Sequence, residues 1–272
     1  MESTERHHTP TVSVERYLDR IGIDHVEDRS VSFLERLQTA HIRSIPFENF
    51  SIVGDPYGPY EGEPIELDLE QLYAKIVESD RGGYCFELNG PFSWLLDGLG
   101  YDADRVAARV VSGNASTIPA NHLAIVVELD QRYLVDVGIG LPKIGCPIPI
   151  EGDVPIPSLG LDWRVEPAER PDVDYVLQYH DETEGWVDHY LFTDEPRDLT
   201  YFEAVNDYLQ TSPDSPFTSD PLVNIATRNG YVKADHKQVE IDTGGDASEH
   251  SIRPDGWAES LERYFSLRLP RG

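Results

Sequence analysis

Over the first hundred residues, apolar positions recur at helical spacing. Val14, Tyr17, Leu18 and Ile21 follow Ser13, which can cap a first turn, and Gly22 can end that helix. A second helix is expected from about Ser30, with Phe33, Leu34 and Leu37 on one side. Asp68 opens a third: Gln71 follows it as in a capping box, and Leu69, Leu72, Tyr73, Ile76 and Val77 form an apolar stripe. A fourth starts near Cys85 and carries Leu88, Phe92, Leu95, Leu96 and Leu99 before Gly100. Pro91 lies inside it; its ring removes one helical N–H and crowds the carbonyl one turn back, so a kink or a late start is expected.

From about Tyr101 the period shortens to that of strands. Asp104 to Val111, His122 to Leu129, Arg132 to Val137, Tyr175 to Tyr179 and Trp186 to Phe192 alternate between turn-rich segments, as in a small antiparallel barrel or sandwich. The proline-dense GCPIPIEGDVPIPSLG, Gly145 to Gly160, reads as a long surface loop. After about Asp198 the pattern is mixed. Tyr201 to Leu209 is a helix candidate, QTSPDSPFTSDP a loop, Tyr231 to Lys233 and Gln238 to Ile241 strands, and Pro254 to Phe265 a helix with Trp257, Leu261, Tyr264 and Phe265 inward. The 272 residues suit two or three domains of roughly 150 residues or fewer.

Charge changes this picture more than composition does. Fifty Asp and Glu stand against 22 Lys and Arg, a net charge of -28, with lysine only at Lys75, Lys143, Lys233 and Lys237. Salt that shortens the Debye length to about 3 Å at 1 M makes such self-repulsion tolerable. The chain therefore reads as a halophilic protein of a high-salt cytoplasm or as a merely acidic, soluble one. Either way the balance argues against nucleic acid as a partner, because that binding rests on cationic patches. No apolar run approaches the roughly 18 residues that cross a bilayer, and MESTERHHTP lacks the layout of a signal peptide. A cytoplasmic protein without a membrane partner is expected. Cys85 and Cys146 allow at most one bridge, so this is no disulfide scaffold.

Cys85 stands in RGGYCFELN, after a glycine pair and at the start of a helix. A lone cysteine can be a small buried hydrophobe or a nucleophile. Gly82 and Gly83 let the backbone turn tightly and approach a ligand. A helix N-terminus offers unpaired N–H groups that lower a thiol pKa from about 8.5 toward about 3.5–7.5 and can hold an oxyanion. Such a nucleophile needs a base and a group to orient it, and NHLAIVVELDQRYLVDVGIG offers His122 and Asp136. If Glu128 pairs with Arg132 across a three-residue loop, His122 falls opposite Gly138 and shares a face with Asp136, about 7–8 Å away between α-carbons. A two-residue loop without a bulge would flip Asp136 to the other face. The same residues also fit a surface strand histidine and an aspartate that ends a strand. His7, His8, His25, His41, His180, His189, His236 and His250 form no pattern, and neither cysteine has neighbouring metal ligands. No Walker loop or GxGxxG occurs, and Cys146, beside prolines, reads as a bystander.

RGGYCFELN, SIPFENF at Ser44 to Phe50, NHLAIVV around His122 and YLVDVGIG around Asp136 together resemble the arylamine N-acetyltransferases in order and spacing. The likeness runs from about Val14 to Ile241 and includes YFEAVNDYLQTSPDSPF, similar to the segment that leads into the family's last domain. It implies an α+β fold with a cysteine-protease-like Cys-His-Asp core: a helical bundle carrying the nucleophile (1–100), an antiparallel β-barrel carrying His and Asp (101–200), and an α/β lid (201–272). It further implies ping-pong transfer from acetyl-CoA through a Cys85 thioester to an arylamine or arylhydrazine, with His122 as base, Asp136 as its orienter and no metal. Phe47, Tyr84 and Ile139 fall near the family's acceptor pocket, while Arg81 is better suited to bracing the glycine turn. Ile139 replaces the usual aromatic residue, and Pro91 interrupts the nucleophile's helix. The residues by themselves leave open another acyl donor, amide synthesis, a cysteine hydrolase with the same triad, and a binding protein with an inert thiol.

Overall fold

The computed structural model describes residues 12–111, 118–152 and 154–271. Ser13 caps α1 (Val14–Arg20) by accepting the Arg16 N–H, and Ser30 caps α2 (Val31–Ser44) by accepting that of Phe33. A short strand, β1 (Phe47–Glu48), and a single turn, α3 (Phe50–Val53), follow. Asp68 caps α4 (Leu69–Tyr73) through the Gln71 N–H, but the Gln71 side chain reaches Glu66 instead of the cap, so only half of the expected box forms. That helix ends in a π turn, Ala74–Glu78.

The fourth long element, α5 (Cys85–Gly98), begins at the cysteine and runs through Pro91, so the helix does not start late. Burial explains why. Leu88, Phe92, Leu95 and Leu96 are fully buried, each worth about 1.5–3 kcal/mol, and together they outweigh the roughly 3 kcal/mol cost of an interior proline. The helix is packed against α4 and, across its other face, against the first strands of the barrel.

Those strands are β2 (Asp102–Val110), β3 (His122–Glu128) and β4 (Arg132–Val135). With β5 (Ile148–Pro149), β6 (Ile156–Ser158), β7 (Leu161–Arg170), β8 (Val173–Asp181) and β9 (Gly185–Pro196) they make one antiparallel sheet in the order β5-β4-β3-β2-β9-β8-β7-β6. The sheet curls until β5 lies beside β7, a nearly closed barrel around Val106, Trp163, Leu177, Tyr190 and Phe192. The stretch Gly145 to Gly160 is not the surface loop that its composition suggests. Ile144, Cys146, Ile148 and Ile150 are buried in the barrel core, and the segment supplies β5 and β6. Its apolar residues alternate with period two, and prolines that cannot donate to a ladder are tolerated on strands this short near the open edge.

The C-terminal part begins with α6 (Glu203–Thr211) and continues as a sheet of β10 (Val223–Ala226), β11 (Tyr231–Ala234), β12 (Gln238–Asp242) and β13 (Ala247–Ser251). β1 joins its edge, Phe47 opposite Asn224, so this sheet reaches back to the nucleophile's turn. In α7 (Trp257–Phe265), Trp257, Leu261 and Phe265 are buried as expected, while Tyr264 is only partly so. No helix among the described residues is long and apolar enough to cross a membrane.

Candidate active site

Cys85 is the first residue of α5 and is 3% exposed. The turn before it is closely packed: a Cβ on Gly82 would strike the Pro46 carbonyl oxygen, and one on Gly83 would come within 2.7 Å of the Glu87 side chain. Arg81 braces the turn as expected. Its guanidinium donates to Glu48 Oε1 from Nε (3.1 Å) and Nη2 (2.8 Å) and lies 5.1 Å over the Tyr60 ring. Glu48 Oε2 accepts the Phe50 N–H at 2.6 Å. On the helix itself, Glu87 accepts the Tyr84 N–H at 3.1 Å and pairs with Lys75.

The strand register brings the other two candidates to this turn. Glu128 pairs with Arg132 and Ile125 with Val135, the register that places His122 and Asp136 on one face. His122 Nε2 lies 2.6 Å from Asp136 Oδ2, with both side chains buried. The thiol faces the start of β3, its Sγ 3.9 Å from the Asn121 carbonyl oxygen. From the other side Gly138 lies flat on the cysteine; an added Cβ would sit 2.6 Å from the Cys85 carbonyl oxygen and 2.9 Å from its Cα. The structure thus unites Cys85, His122 and Asp136.

Two supporting residues had gone unassigned. Asn89 donates to Asp136 Oδ1 at 2.9 Å and to the Leu123 carbonyl at 2.6 Å, and accepts the Val137 N–H at 2.9 Å. It stands one helical turn beyond Cys85, a spacing that places both on one face and could have revealed it. Gln38 of α2 donates to the carbonyls of Asp136 (3.3 Å) and Ile144 (3.0 Å). Nothing in the local sequence of α2 points to that role.

Burial governs the protonation of the site. It pushes the Cys85 thiol up from its ordinary pKa, and the Asp136 charge pushes the same way, while the N–H groups of Phe86 and Cys85 favour the thiolate too weakly to prevail. The low thiol pKa expected of a helix N-terminus is therefore not realised. Burial would also raise Asp136, but His122, Asn89 and the Gly138 N–H hold its carboxyl below the usual range. The Tyr190 ring packs 5.1 Å from His122, and burial together with Asp136 keeps its hydroxyl protonated. His189 lies among Trp163, Tyr179 and Tyr190, pushed down to about 4 by burial.

Phe47 and Tyr84 meet beneath Phe217, with ring centroids 6.1 Å and 5.2 Å from it. The Tyr84 hydroxyl donates to Asn206 on α6. Ile139 packs in the barrel core, and its carbonyl accepts a hydrogen bond from Lys143 at 3.2 Å. His41 is buried against Tyr17 and Phe92, away from the thiol's partners. Cys146 is a buried core residue. His7 and His8 lie outside the described residues.

An N-acetyltransferase family profile matches residues 30–272. An arylamine N-acetyltransferase of Mycolicibacterium smegmatis is 35% identical over 255 residues, covering 90% of this chain and 87% of its own. A pineal-gland arylamine N-acetyltransferase of Gallus gallus is 34% identical over 239 residues, covering 80% and 79%. Among solved structures, the arylamine N-acetyltransferase of M. tuberculosis superposes with a TM-score of 0.82 at 29% identity, covering 93% of each chain. That of Mycobacterium marinum in complex with CoA does so at 0.81 and 26%, covering 93% of this chain and 92% of its own. A chain that matches the family profile over residues 30–272 and shares this fold and this much sequence with those enzymes belongs to the arylamine N-acetyltransferase family.

Proposed function

We infer that the protein transfers an acetyl group from acetyl-CoA to the nitrogen of an arylamine or arylhydrazine, with Cys85 carrying the acetyl group between them. The observation that supports this most is the 2.6 Å His122–Asp136 pair at the strand end facing the Cys85 thiol. Because burial keeps the thiol protonated, ionisation has to be coupled to the reaction. The thiol proton passes to His122, whose cationic form Asp136 stabilises, and the sulfur attacks the thioester carbonyl. The N–H groups at the start of α5 face the developing charge. The C–S bond to CoA breaks, and the CoA sulfur takes the proton from His122. In the second half the amine nitrogen attacks the Cys85 thioester, gives a proton to His122 and expels the cysteine sulfur, which takes that proton back from His122. Burial of the thiol, with Phe217 packed over the adjacent Tyr84, keeps water from the thioester and favours transfer over hydrolysis.

In this reading Phe47 supports the acceptor ring, with Tyr84 and Ile139 behind it, and the chain divides into a bundle (1–100), a barrel (101–200) and a lid (201–272). The net charge of -28 supports a cytoplasm of high salt and argues against nucleic acid or a membrane as partner. Incubation with acetyl-CoA should add about 42 Da, one acetyl in place of a hydrogen, and Cys85→Ser should abolish the gain. An unlabelled wild-type protein in both dilute buffer and molar KCl would overturn the reading. Activity that is indifferent to KCl would remove the high-salt part alone.

A further inference from the structure

Tyr84, the residue before the nucleophile, is held at both ends. Its backbone N–H donates to Glu87, in the first turn of α5, at 3.1 Å. Its side chain is fully buried, and its hydroxyl, kept protonated by burial and by the nearby Cys85 and Glu87, donates to Oδ1 of Asn206. That acceptor lies 122 residues further along the chain, on α6. A buried phenol needs an acceptor, and a carbonyl of its own segment would serve; here the partner comes from the C-terminal part of the fold. Asn206 is itself fixed. It is buried, and its Nδ2 donates to the Ile65 carbonyl at 2.8 Å. One helical turn on, Gln210 accepts the Ile65 N–H at 2.9 Å and donates to the same carbonyl at 3.0 Å. With an acceptor required toward Tyr84 and a donor toward Ile65, the Asn206 amide has one orientation.

The same helix reaches the other side of the nucleophile. Phe202, which leads into α6, packs 5.3 Å from the Phe86 ring, and Phe86 lies edge-on to Tyr84 at 5.5 Å. Phe217, beyond the helix, closes on Tyr84 at 5.2 Å. Both chain neighbours of Cys85 are thus gripped from the C-terminal part, Tyr84 through Asn206 and Phe86 through Phe202. Arg81–Glu48 and Lys75–Glu87 fix the backbone of this turn, whereas the α6 contacts fix the side chains on either side of the sulfur. The sulfur stands 3.9 Å from the Asn121 carbonyl oxygen, at the start of the strand that carries His122. A misplacement of about 1 Å at such a site can cost on the order of 100-fold in rate.

Resting on the acyl-transfer reading above, we propose that Asn206 is a positioning residue for Cys85: by holding the Tyr84 hydroxyl it sets where the sulfur stands relative to His122. Tyr84→Phe removes the hydroxyl and Asn206→Leu its acceptor. Each should slow the single-turnover acetylation of Cys85 by acetyl-CoA, followed by mass without any amine, by about 10- to 100-fold. The double variant should be no slower than the slower single, because both act through one bond. Alkylation of Cys85 by iodoacetamide, read on its peptide, needs no acyl donor, and its pH profile should move to higher pH in both variants as the thiol loses its path to His122. The carboxylates whose charges reach the thiol, Asp136 and Glu87, are the same in all these proteins, so the shift reports the place of the sulfur. A purely structural Asn206 would lower Tm and leave that profile unmoved. Wild-type acetylation by Tyr84→Phe, losses that multiply in the double variant, an unmoved alkylation profile, or a loss confined to the amine half of the reaction each overturn the proposal. Where Asn206→Leu does not fold, Tyr84→Phe, which lacks one oxygen, decides alone. A wild-type protein that is alkylated at Cys85 but never acetylated refutes the acyl-transfer reading, and the alkylation profiles then still test Asn206.

Discussion

A buried ion pair and a buried imidazole–carboxylate pair flank Cys85, and their difference shows how a buried carboxylate serves two ends. Behind the glycine turn, Arg81 and Glu48 are joined by two hydrogen bonds, and a third runs from the Phe50 N–H to the carboxylate. In front, Asp136 receives His122, Asn89 and the Gly138 N–H. Both carboxyls are held below their usual range against burial that would raise them. The partner makes the difference. A guanidinium never gives up its proton at accessible pH, so the first pair can only fix backbone, whereas an imidazole can both accept and donate a proton and so can move one.

The sharpest way to break the comparison is Asp136→Asn, which keeps the shape but loses the charge that stabilises a cationic His122. It should lower kcat/KM by about 10^4-fold with little change in fold, measured beside circular dichroism. Arg81→Met should do the reverse. Leaving Glu48 buried and unpaired costs roughly 3–5 kcal/mol of stability, a fall in Tm on the order of 10 °C, while the folded fraction keeps most of its turnover. Adding Glu48→Leu to that variant should restore much of the Tm; if it does not, the pair is more than a brace.

Histidine burial away from the thiol sharpens the contrast further. His189 is pushed down from its ordinary 6.5 to about 4, so the native state declines a proton that the unfolded chain accepts. Stability from this source is complete above about pH 6.5 and is lost as pH falls toward 4, by up to about 3 kcal/mol. His189→Phe should flatten that part of a stability-against-pH curve by as much as one proton, and an unchanged slope would assign the acid loss elsewhere. The smallest effect is expected at Phe217. Phe217→Ala opens the cover over Tyr84 and Phe47 and should shorten the lifetime of acetylated protein in the absence of amine several-fold, read by mass against time.

Much of this was legible from sequence because it depends on near neighbours. Ser13, Ser30 and Asp68 cap the helices their positions predict, and the loop between Glu128 and Arg132 sets the register that aligns His122 with Asp136. Pro91 misled because the penalty is local while the burial that outweighs it comes from the surrounding elements. Gly145 to Gly160 misled in the same way: proline content signalled a loop, yet the alternating isoleucines answered to the barrel interior. Gln38 left no local sign, because the carbonyls it holds are about a hundred residues away in the chain.

The amino-acid order alone determined where the capped helices begin, how β3 pairs with β4 and which three side chains can converge, since caps, loop length and period act over a few residues. The tertiary structure decided their protonation. Whether Cys85 rests as thiol or thiolate and whether Asp136 keeps its charge follow from desolvation and from charges on distant segments. Those energies exist only once the chain has closed around the groups and displaced their water.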